Sequence, residues 1–248
     1  MKFALGQINP IIGDIEGNGE KILLTSLRAA NEDTQIILTP ELSLLGYPPR
    51  DLLLNPFLFE KQKRVLDKLA NELLLKAPSL CLLVGIAEPT KDSQLPKLFN
   101  SIVAIEKGKW EVIARKQLLP SYDIFDEQRY FRSSTTSSIL KTHFEKKTWN
   151  LGITICEDLW VEEEIQGKRL IGADPIEKFE NKKIDVLINL SASPFSHYKH
   201  FLRQQVASKA ARRLDCPVIY LNQVGGNDEL IFDGSSFIVN SKGELEKS

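Results

Sequence analysis

The chain has 248 residues, of which 42% are hydrophobic and 26% charged, and its formal net charge is -1. A chain of this length can bury a sizeable core, and a near-neutral charge excludes the basic surface typical of a nucleic-acid-binding protein. No apolar run approaches the roughly 18 residues of a membrane span, and the N-terminus carries too short an apolar stretch for a signal peptide, so we expect no membrane association.

The three cysteines, Cys81, Cys156 and Cys216, are far apart in the sequence. An odd, widely spaced set is typical neither of a disulfide framework nor of a zinc site, so we expect no bound metal. Free thiols of this kind favour a reducing, cytoplasmic location.

Short apolar runs of strand length recur along the whole chain, several of them continuous enough to be covered on both faces. They occupy residues 2–8, 35–39, 80–86, 101–106, 110–115, 149–155, 184–190, 218–222 and 236–239. Apolar residues at three- and four-residue spacing predict helices over 20–30, 57–77 and 198–214. Strands interleaved with helices indicate an α/β fold.

Nothing in the sequence resembles a linker between domains, so we predict one domain over residues 1–248. The Ser/Thr run 133–138 is predicted to be a solvated loop. Residues 234–245 read as a strand, a turn and the beginning of a further strand. Because a sheet would be cut within a hairpin, we expect this chain to be a piece of a longer protein.

Just past each of three predicted strands stands a residue that can take part in chemistry. Glu41 follows strand 35–39, Lys116 follows strand 110–115, and Cys156 follows strand 149–155. In α/β sheets the carboxyl ends of strands present reactive groups. Together the three residues fit one mechanism, in which Cys156 attacks an amide carbonyl, Glu41 moves the proton and Lys116 stabilises the oxyanion.

Each of these residues also has a plain structural interpretation. A free cysteine usually packs as a small hydrophobic residue, a lysine is usually solvated, and Glu41 could be an ordinary loop carboxylate. Glu157 and Asp158 favour the start of a helix behind Cys156, whose dipole would favour a thiolate. Cys81 and Cys216 lack such surroundings and are predicted to be structural.

A cysteine–histidine mechanism is the alternative, but the chain has only three histidines. His197 and His200 lie at or near the start of the predicted helix 198–214 and fit capping or surface positions better. His143 is the third.

The three segments resemble those of the nitrilase, or carbon–nitrogen hydrolase, superfamily. More narrowly, they are similar to the N-terminal glutaminase domain of the glutamine-dependent NAD synthetases. The similarity follows the chain in collinear order through residues 40–53, 116–131, 155–160, 189–195 and 224–236. It implies a four-layer αββα sandwich, truncated at its C-terminal end, with Glu41 as general base, Lys116 on the oxyanion side and Cys156 as nucleophile.

The resemblance also implies a glutamine site. Its residues match Tyr122, Ser193 and Lys199, with Glu127 near the amide, and Tyr47 and Trp160 in the matching segments complete the predicted set. Lys199 could pair with the substrate α-carboxylate. The sequence departs from the family at the edges of loops, at Leu45, at Arg50 and after Phe131.

The implied reaction is hydrolysis of glutamine, supplying ammonia for ATP-dependent synthesis of NAD from deamido-NAD. No Ser-Gly-Gly-x-Asp-Ser run and no phosphate-binding glycine loop is present, so we expect no cofactor in this chain and assign ATP and Mg²⁺ to a C-terminal synthetase domain absent from it. The family further implies a homo-oligomer. Two alternatives remain: a stand-alone hydrolase of another small amide, and a catalytically silent docking domain.

Overall fold

The computed structural model describes residues 1–92, 94–121, 125–166 and 172–248. Its first sheet contains β1 (Phe3–Leu5), β2 (Ile36–Leu38), β3 (Cys81–Pro89), β4 (Leu98–Glu106) and β5 (Lys109–Arg115), in that order. The strands β1, β2 and β3 are parallel, whereas β3, β4 and β5 form an antiparallel meander.

The second sheet contains β6 (Ser138–Phe144), β7 (Lys147–Ile155), β8 (Val186–Ser191), β9 (Val218–Asn222), β12 (Phe237–Val239) and β13 (Leu245–Lys247). Its spatial order is β13-β12-β9-β8-β7-β6, with β7, β8 and β9 parallel in the centre. A separate hairpin is formed by β10 (Val224–Asn227) and β11 (Leu230–Asp233).

Helices α1 (Ile15–Ala30) and α2 (Phe57–Lys76) cover the outer face of the first sheet. The short helices α4 (Glu163–Gln166) and α5 (Glu177–Glu180) and the longer α6 (Lys199–Leu214) cover the second. One-turn helix α3 (Glu127–Tyr130) lies in a connection, and 3₁₀ turns span Arg50–Leu54 and Cys156–Leu159. None of the helices in the described ranges is long and apolar enough to cross a membrane.

The inner faces of the two sheets pack against each other. Leu38 and Leu83 of the first sheet share one buried cluster with Ile153, Ile188 and Leu221 of the second. Two further clusters separate each sheet from its own helices. Strands covered on both faces need apolar residues in successive positions, which is why their sequences lack strict alternation. The predicted αββα sandwich is confirmed.

Each predicted strand and helix has its counterpart in the structure, with different ends. Helix α1 begins at Ile15 and not at residue 20, because the Asp14 carboxylate caps it by accepting the Gly17 amide at 3.0 Å. Residues 133–137 form a loop as predicted, and Ser138 opens β6. Strand β6 and the β10–β11 hairpin were not predicted, because they are partly exposed and carry polar residues or glycines.

Candidate active site

The structure brings Glu41, Lys116 and Cys156 together at the carboxyl edge of both sheets. Glu41 follows β2, Lys116 follows β5, and Cys156 follows β7. The Lys116 ammonium donates to the Glu41 carboxylate, with 2.7 Å between Nζ and Oε1, and both side chains are fully buried. The Cys156 thiol lies close enough for the charges of both residues to act on its pKa.

The loop that carries Glu41 is held by contacts with the first sheet and with the chain just after β8 of the second. Asn100 on β4 donates to Glu41 Oε1 at 2.7 Å, and the Ala192 amide donates to Oε2 at 3.0 Å. The loop also lies directly on β3 at Gly85, where an added Cβ would stand 2.3 Å from the Leu42 amide nitrogen. Every oxygen of the Glu41 carboxylate therefore has a donor, and its position depends on the absence of a side chain at residue 85.

Glu127, at the first position of α3, is a second carboxylate partner of Lys116. Its Oε1 accepts from Lys116 Nζ at 2.8 Å and from the Tyr47 hydroxyl at 2.7 Å. Burial lowers the pKa of Lys116, but the carboxylates of Glu127 and Glu41 outweigh it and hold that pKa well above its ordinary value. Burial raises the pKa of Glu127 to about 7, although Lys116 opposes the shift. The two carboxylates thus favour the charged form of Lys116.

Cys156 sits at a strained turn between β7 and the 3₁₀ turn Cys156–Leu159. Its φ of 46° lies in the left-handed region that non-glycine residues seldom adopt, and its carbonyl accepts from Asn189 Nδ2 at 3.2 Å. Burial, and then Glu41, raise the pKa of the thiol well above its ordinary value, against the opposing charge of Lys116. The expectation that a helix start would favour a thiolate is wrong, because burial of the thiol, followed by the charge of Glu41, favours the protonated form.

Asp158 fixes the nucleophile turn to the lysine segment. Its Oδ1 accepts the backbone amides of Gln117 and Leu118 at 2.9 and 2.8 Å, and its Oδ2 accepts that of Ile155 at 3.1 Å. Burial raises the pKa of Asp158 to about 6, and these three hydrogen bonds oppose the rise. One carboxylate thus joins the residue after Lys116 to the residue before Cys156.

The predicted binding residues divide into two groups. Ser193 and Trp160 are buried near the nucleophile turn, and the Lys199 ammonium lies 5.9 Å from the centre of the Trp160 ring. Burial lowers the pKa of Lys199, while Cys156 and Glu157 act in the opposite direction. Tyr47 is directed to Glu127 instead, as its hydrogen bond shows. Tyr122 lies outside the described residues.

Sequence reasoning missed Gly85, Asn100 and the bridging role of Asp158. Asp158 is two residues from Cys156 and was available as a signal, whereas an isolated amide or glycine inside a strand carries none. Among the residues that the structure describes, no group of three or more His, Cys, Asp or Glu side chains is arranged to hold a metal ion.

Comparison with known proteins identifies the class. The sequence model of the carbon–nitrogen hydrolase family matches residues 2–246. The chain belongs to the carbon–nitrogen hydrolase family. The fold agrees with this, since an amidase from Nesterenkonia sp. superimposes with a TM-score of 0.73 over 99% of this chain and 84% of its own, at 20% identity.

Within the family, the chain is similar to glutamine-dependent NAD(+) synthetases. That of Synechocystis sp. is 45% identical over 246 residues, which are 98% of this chain and 43% of the relative. The structure of the Acinetobacter baumannii enzyme, in complex with ADP, is 32% identical with a TM-score of 0.84, covering 99% of this chain and 43% of that one. The predicted resemblance is confirmed, and the chain spans less than half the length of these relatives.

Proposed function

We propose that this chain hydrolyses the side-chain amide of glutamine to glutamate and ammonia, with Cys156 as nucleophile. The observation that supports this best is the Glu41–Lys116–Glu127 cluster beside the thiol. Burying two carboxylates and an ammonium costs several kcal/mol per ion before their attraction offsets it, and a hydrophobic cluster of equal volume would often be as stable. A buried cluster beside a strained cysteine, with the pKa values of Lys116 and Glu127 both shifted, is typical of a catalytic site.

In the first half of the reaction, the sulfur attacks the amide carbonyl carbon. The raised pKa of Cys156 means that the resting thiol is protonated, so Glu41 must accept its proton as the C–S bond forms. The carbonyl oxygen becomes an oxyanion, which the Lys116 ammonium stabilises. A well-placed donor to an oxyanion contributes about 3 to 4 kcal/mol.

The tetrahedral intermediate then breaks its C–N bond. Glu41 returns the proton to the departing nitrogen, ammonia leaves, and a thioester to Cys156 remains. In the second half, water attacks the thioester carbonyl carbon while Glu41 accepts a proton from it. The C–S bond then breaks, Glu41 returns that proton to the sulfur, and glutamate leaves the restored thiol. Glu127 keeps Lys116 charged throughout, and Tyr47 holds Glu127 in place through its hydroxyl.

Glutamine itself is assigned to Ser193, Lys199, Trp160 and Tyr122. Lys199 supplies a cation near the thiol that suits the α-carboxylate, and the Trp160 ring lies beside it. The similarity to NAD(+) synthetases supports glutamine over another small amide.

The use of the released ammonia involves a part of the protein beyond this chain. We infer that the ammonia serves a synthetase domain that amidates deamido-NAD with ATP and Mg²⁺, since the relatives named for this activity are more than twice as long. Assembly into a homo-oligomer and a cytoplasmic location stay predictions.

A glutamine-like electrophile, such as a diazo-ketone analogue, tests the proposal directly. Incubation followed by peptide mass spectrometry should place the label on Cys156 and leave Cys81 and Cys216 unmodified, and glutamine should protect against labelling. In parallel, ammonia release should be measured with glutamine and with neutral amides. Absence of label on Cys156 would favour a silent docking domain, and preference for a neutral amide would favour a stand-alone amidase.

A further inference from the structure

Arg203, in the first half of α6, is a fully buried arginine that the proposed mechanism does not use. Its guanidinium holds the chain just after β8: Nε donates to Ser193 Oγ at 3.2 Å, and Nη2 donates to the carbonyls of Ser193 and Pro194 at 2.8 and 3.0 Å. Three donors of one rigid fork thus fix both the backbone and the hydroxyl of Ser193.

Asp233, at the end of β11, neutralises this arginine. Arg203 Nη1 lies 2.8 and 3.0 Å from the two carboxylate oxygens of Asp233. Asn222 strengthens the same loop by accepting the Ser193 amide at 2.8 Å and donating to the Ser193 carbonyl at 3.0 Å. A buried ion pair contributes little net stability, because desolvation of the two charges offsets their attraction. The contribution of the Arg203–Asp233 pair is therefore the geometry that it imposes on Ser193.

The contact with Arg203 sets the direction of the Ser193 hydroxyl. A guanidinium can only donate, so Ser193 Oγ must be the acceptor in this hydrogen bond. The hydroxyl hydrogen is then available to a different acceptor, either the buried Tyr220 hydroxyl, on whose pKa Ser193 acts, or a group of a ligand. Held in this way, Ser193 is suited to donate to an anionic group of a ligand.

Lys199 lies one helical turn before Arg203, on the same face of α6. The two cations differ in one respect. Arg203 has its carboxylate partner in Asp233, whereas within the described part of the chain no carboxylate lies within ion-pair distance of Lys199. Arg203 is therefore committed to the fold, whereas Lys199 remains available to a ligand near the thiol, whose charge acts on its pKa.

We propose that Arg203 is a positioning residue that makes the site select amides bearing an α-carboxylate. It holds Ser193 so that the hydroxyl and the Lys199 ammonium bind the two oxygens of that group together. This rests on the proposed glutamine hydrolysis. Arg203 touches no reacting atom, so it governs how tightly the substrate binds and which amide is chosen, not the chemical step.

The test compares glutamine with butyramide, which has the same amide arm but no α-carboxylate or α-ammonium. In Arg203→Lys the charge stays, but the fork that reaches Ser193 and Pro194 together is lost. KM for glutamine should rise about tenfold, as expected for one weakened charged hydrogen bond. The kcat for glutamine and kcat/KM for butyramide should stay within about twofold, because the chemical step is untouched.

Arg213→Lys is the matched control on the same helix. Arg213 also pairs with carboxylates, Asp174 at 2.7 Å and Glu180, but its contacts are with the connection before β8 and with α5. This variant should leave KM for both amides unchanged, which separates the effect at Arg203 from a general loosening of α6.

Ser193→Ala provides a second route, because it removes only the hydroxyl and should fold even where Arg203→Lys does not. It should raise KM for glutamine and not affect butyramide, and the double variant should be no worse than the stronger single one. An unchanged KM for glutamine in either single variant, or an equal fall in kcat for both amides, would overturn the role of Arg203 while leaving glutamine hydrolysis standing. Wild-type protein that hydrolyses neither amide would overturn both proposals.

Discussion

The two ends of the sandwich each carry a buried cysteine, and they differ in what surrounds it. At the carboxyl edge, Cys156 stands beside a compact cluster of buried charges. At the opposite end, Cys81 opens β3 and lines a cavity of about 660 Å³ between the sheets, together with the half of β6 that contains His143. Burial raises the pKa of Cys81 to about 12, with a smaller contribution from Glu106.

Empty volume alone would therefore favour the end of the molecule that lacks the Glu41–Lys116–Glu127 cluster. The large cavity has mixed charges on its rim and a thiol kept neutral by apolar surroundings. The opposite edge concentrates buried charge, hydrogen-bonded carboxylates and unfavourable backbone geometry at Cys156. Buried charge and unfavourable backbone geometry destabilise the folded state. Their presence together is therefore better evidence of a catalytic site than a cavity is.

Paired alanine substitutions give the largest contrast between the two ends. Cys156→Ala should lower the rate of glutamine hydrolysis by about 10⁴-fold or more, since the nucleophile is lost. Cys81→Ala should cost only about 1 kcal/mol of the free energy of unfolding and keep the activity. Ammonia release and urea denaturation of both variants measure this. Comparable activity in the two variants would remove Cys156 as nucleophile.

Gly85→Ala should give the next largest effect. The new methyl group would stand 2.3 Å from the Leu42 nitrogen and 2.5 Å from the Pro40 carbonyl oxygen, so the loop must move away from β3. A shift of about 1 Å in Glu41 would lower kcat about 10²-fold. The control is Gly226→Ala, where the nearest atom is 3.5 Å away and kcat should not change. Normal kcat in Gly85→Ala would show that the loop adapts.

Glu127→Gln should change how stability depends on pH. Because the folded pKa of Glu127 is about 7, against an ordinary value of 4.5, the stability linked to its proton is fully present below about pH 4.5 and is lost as pH rises through about 7. Glutamine cannot titrate, so the variant escapes this loss. Relative to wild type, its free energy of unfolding should rise by up to about 3 kcal/mol between about pH 4 and pH 8.

Urea denaturation at several pH values measures this difference. Glu164→Gln is the control, because the hydrogen bond from Lys209 holds the pKa of Glu164 below its ordinary value and the variant should not reproduce the trend. A difference between Glu127→Gln and wild type that does not vary with pH would mean that Glu127 is ionised over the whole range.

His143→Ala should have the smallest effect. His143 is exposed on β6, where its Nδ1 contacts the Thr148 hydroxyl at 3.0 Å, on the rim of the large cavity. The free energy of unfolding should change by less than about 0.5 kcal/mol, and glutamine hydrolysis should not change. Loss of activity would instead favour a cysteine–histidine mechanism at this end of the sandwich.

Much of the fold and the core of the site could be predicted because their signals are local. A continuous apolar run identifies a buried strand, and a residue within three positions of its end is placed at the sheet edge, as for Glu41, Lys116 and Cys156. Glu127 and the glutamine site came from family resemblance, since a carboxylate in a loop has no local pattern of its own.

The remaining parts depend on contacts between distant segments. Gly85 and Asn100 reach Glu41 because β3 pairs with β4 in one register, with Ala87 opposite Asn100 and Gly85 opposite Ile102. Nothing near either residue in the sequence encodes that register. The state of Cys156 was misjudged for the same reason, because the burial that keeps its thiol protonated, and then the charge of Glu41, come from segments that are distant in the chain.

The hydrogen bonds of the Asp158 carboxylate determine how this domain unfolds on heating. By accepting amides on both sides, it fastens the edge of one sheet to the edge of the other, so neither can slip while the hydrogen bonds hold. The residues around Cys156 and Lys116 should therefore not unfold at a lower temperature than the two sheets that carry them. Loss of activity and loss of tertiary structure should then show the same dependence on temperature. No folded but inactive form should accumulate at any temperature.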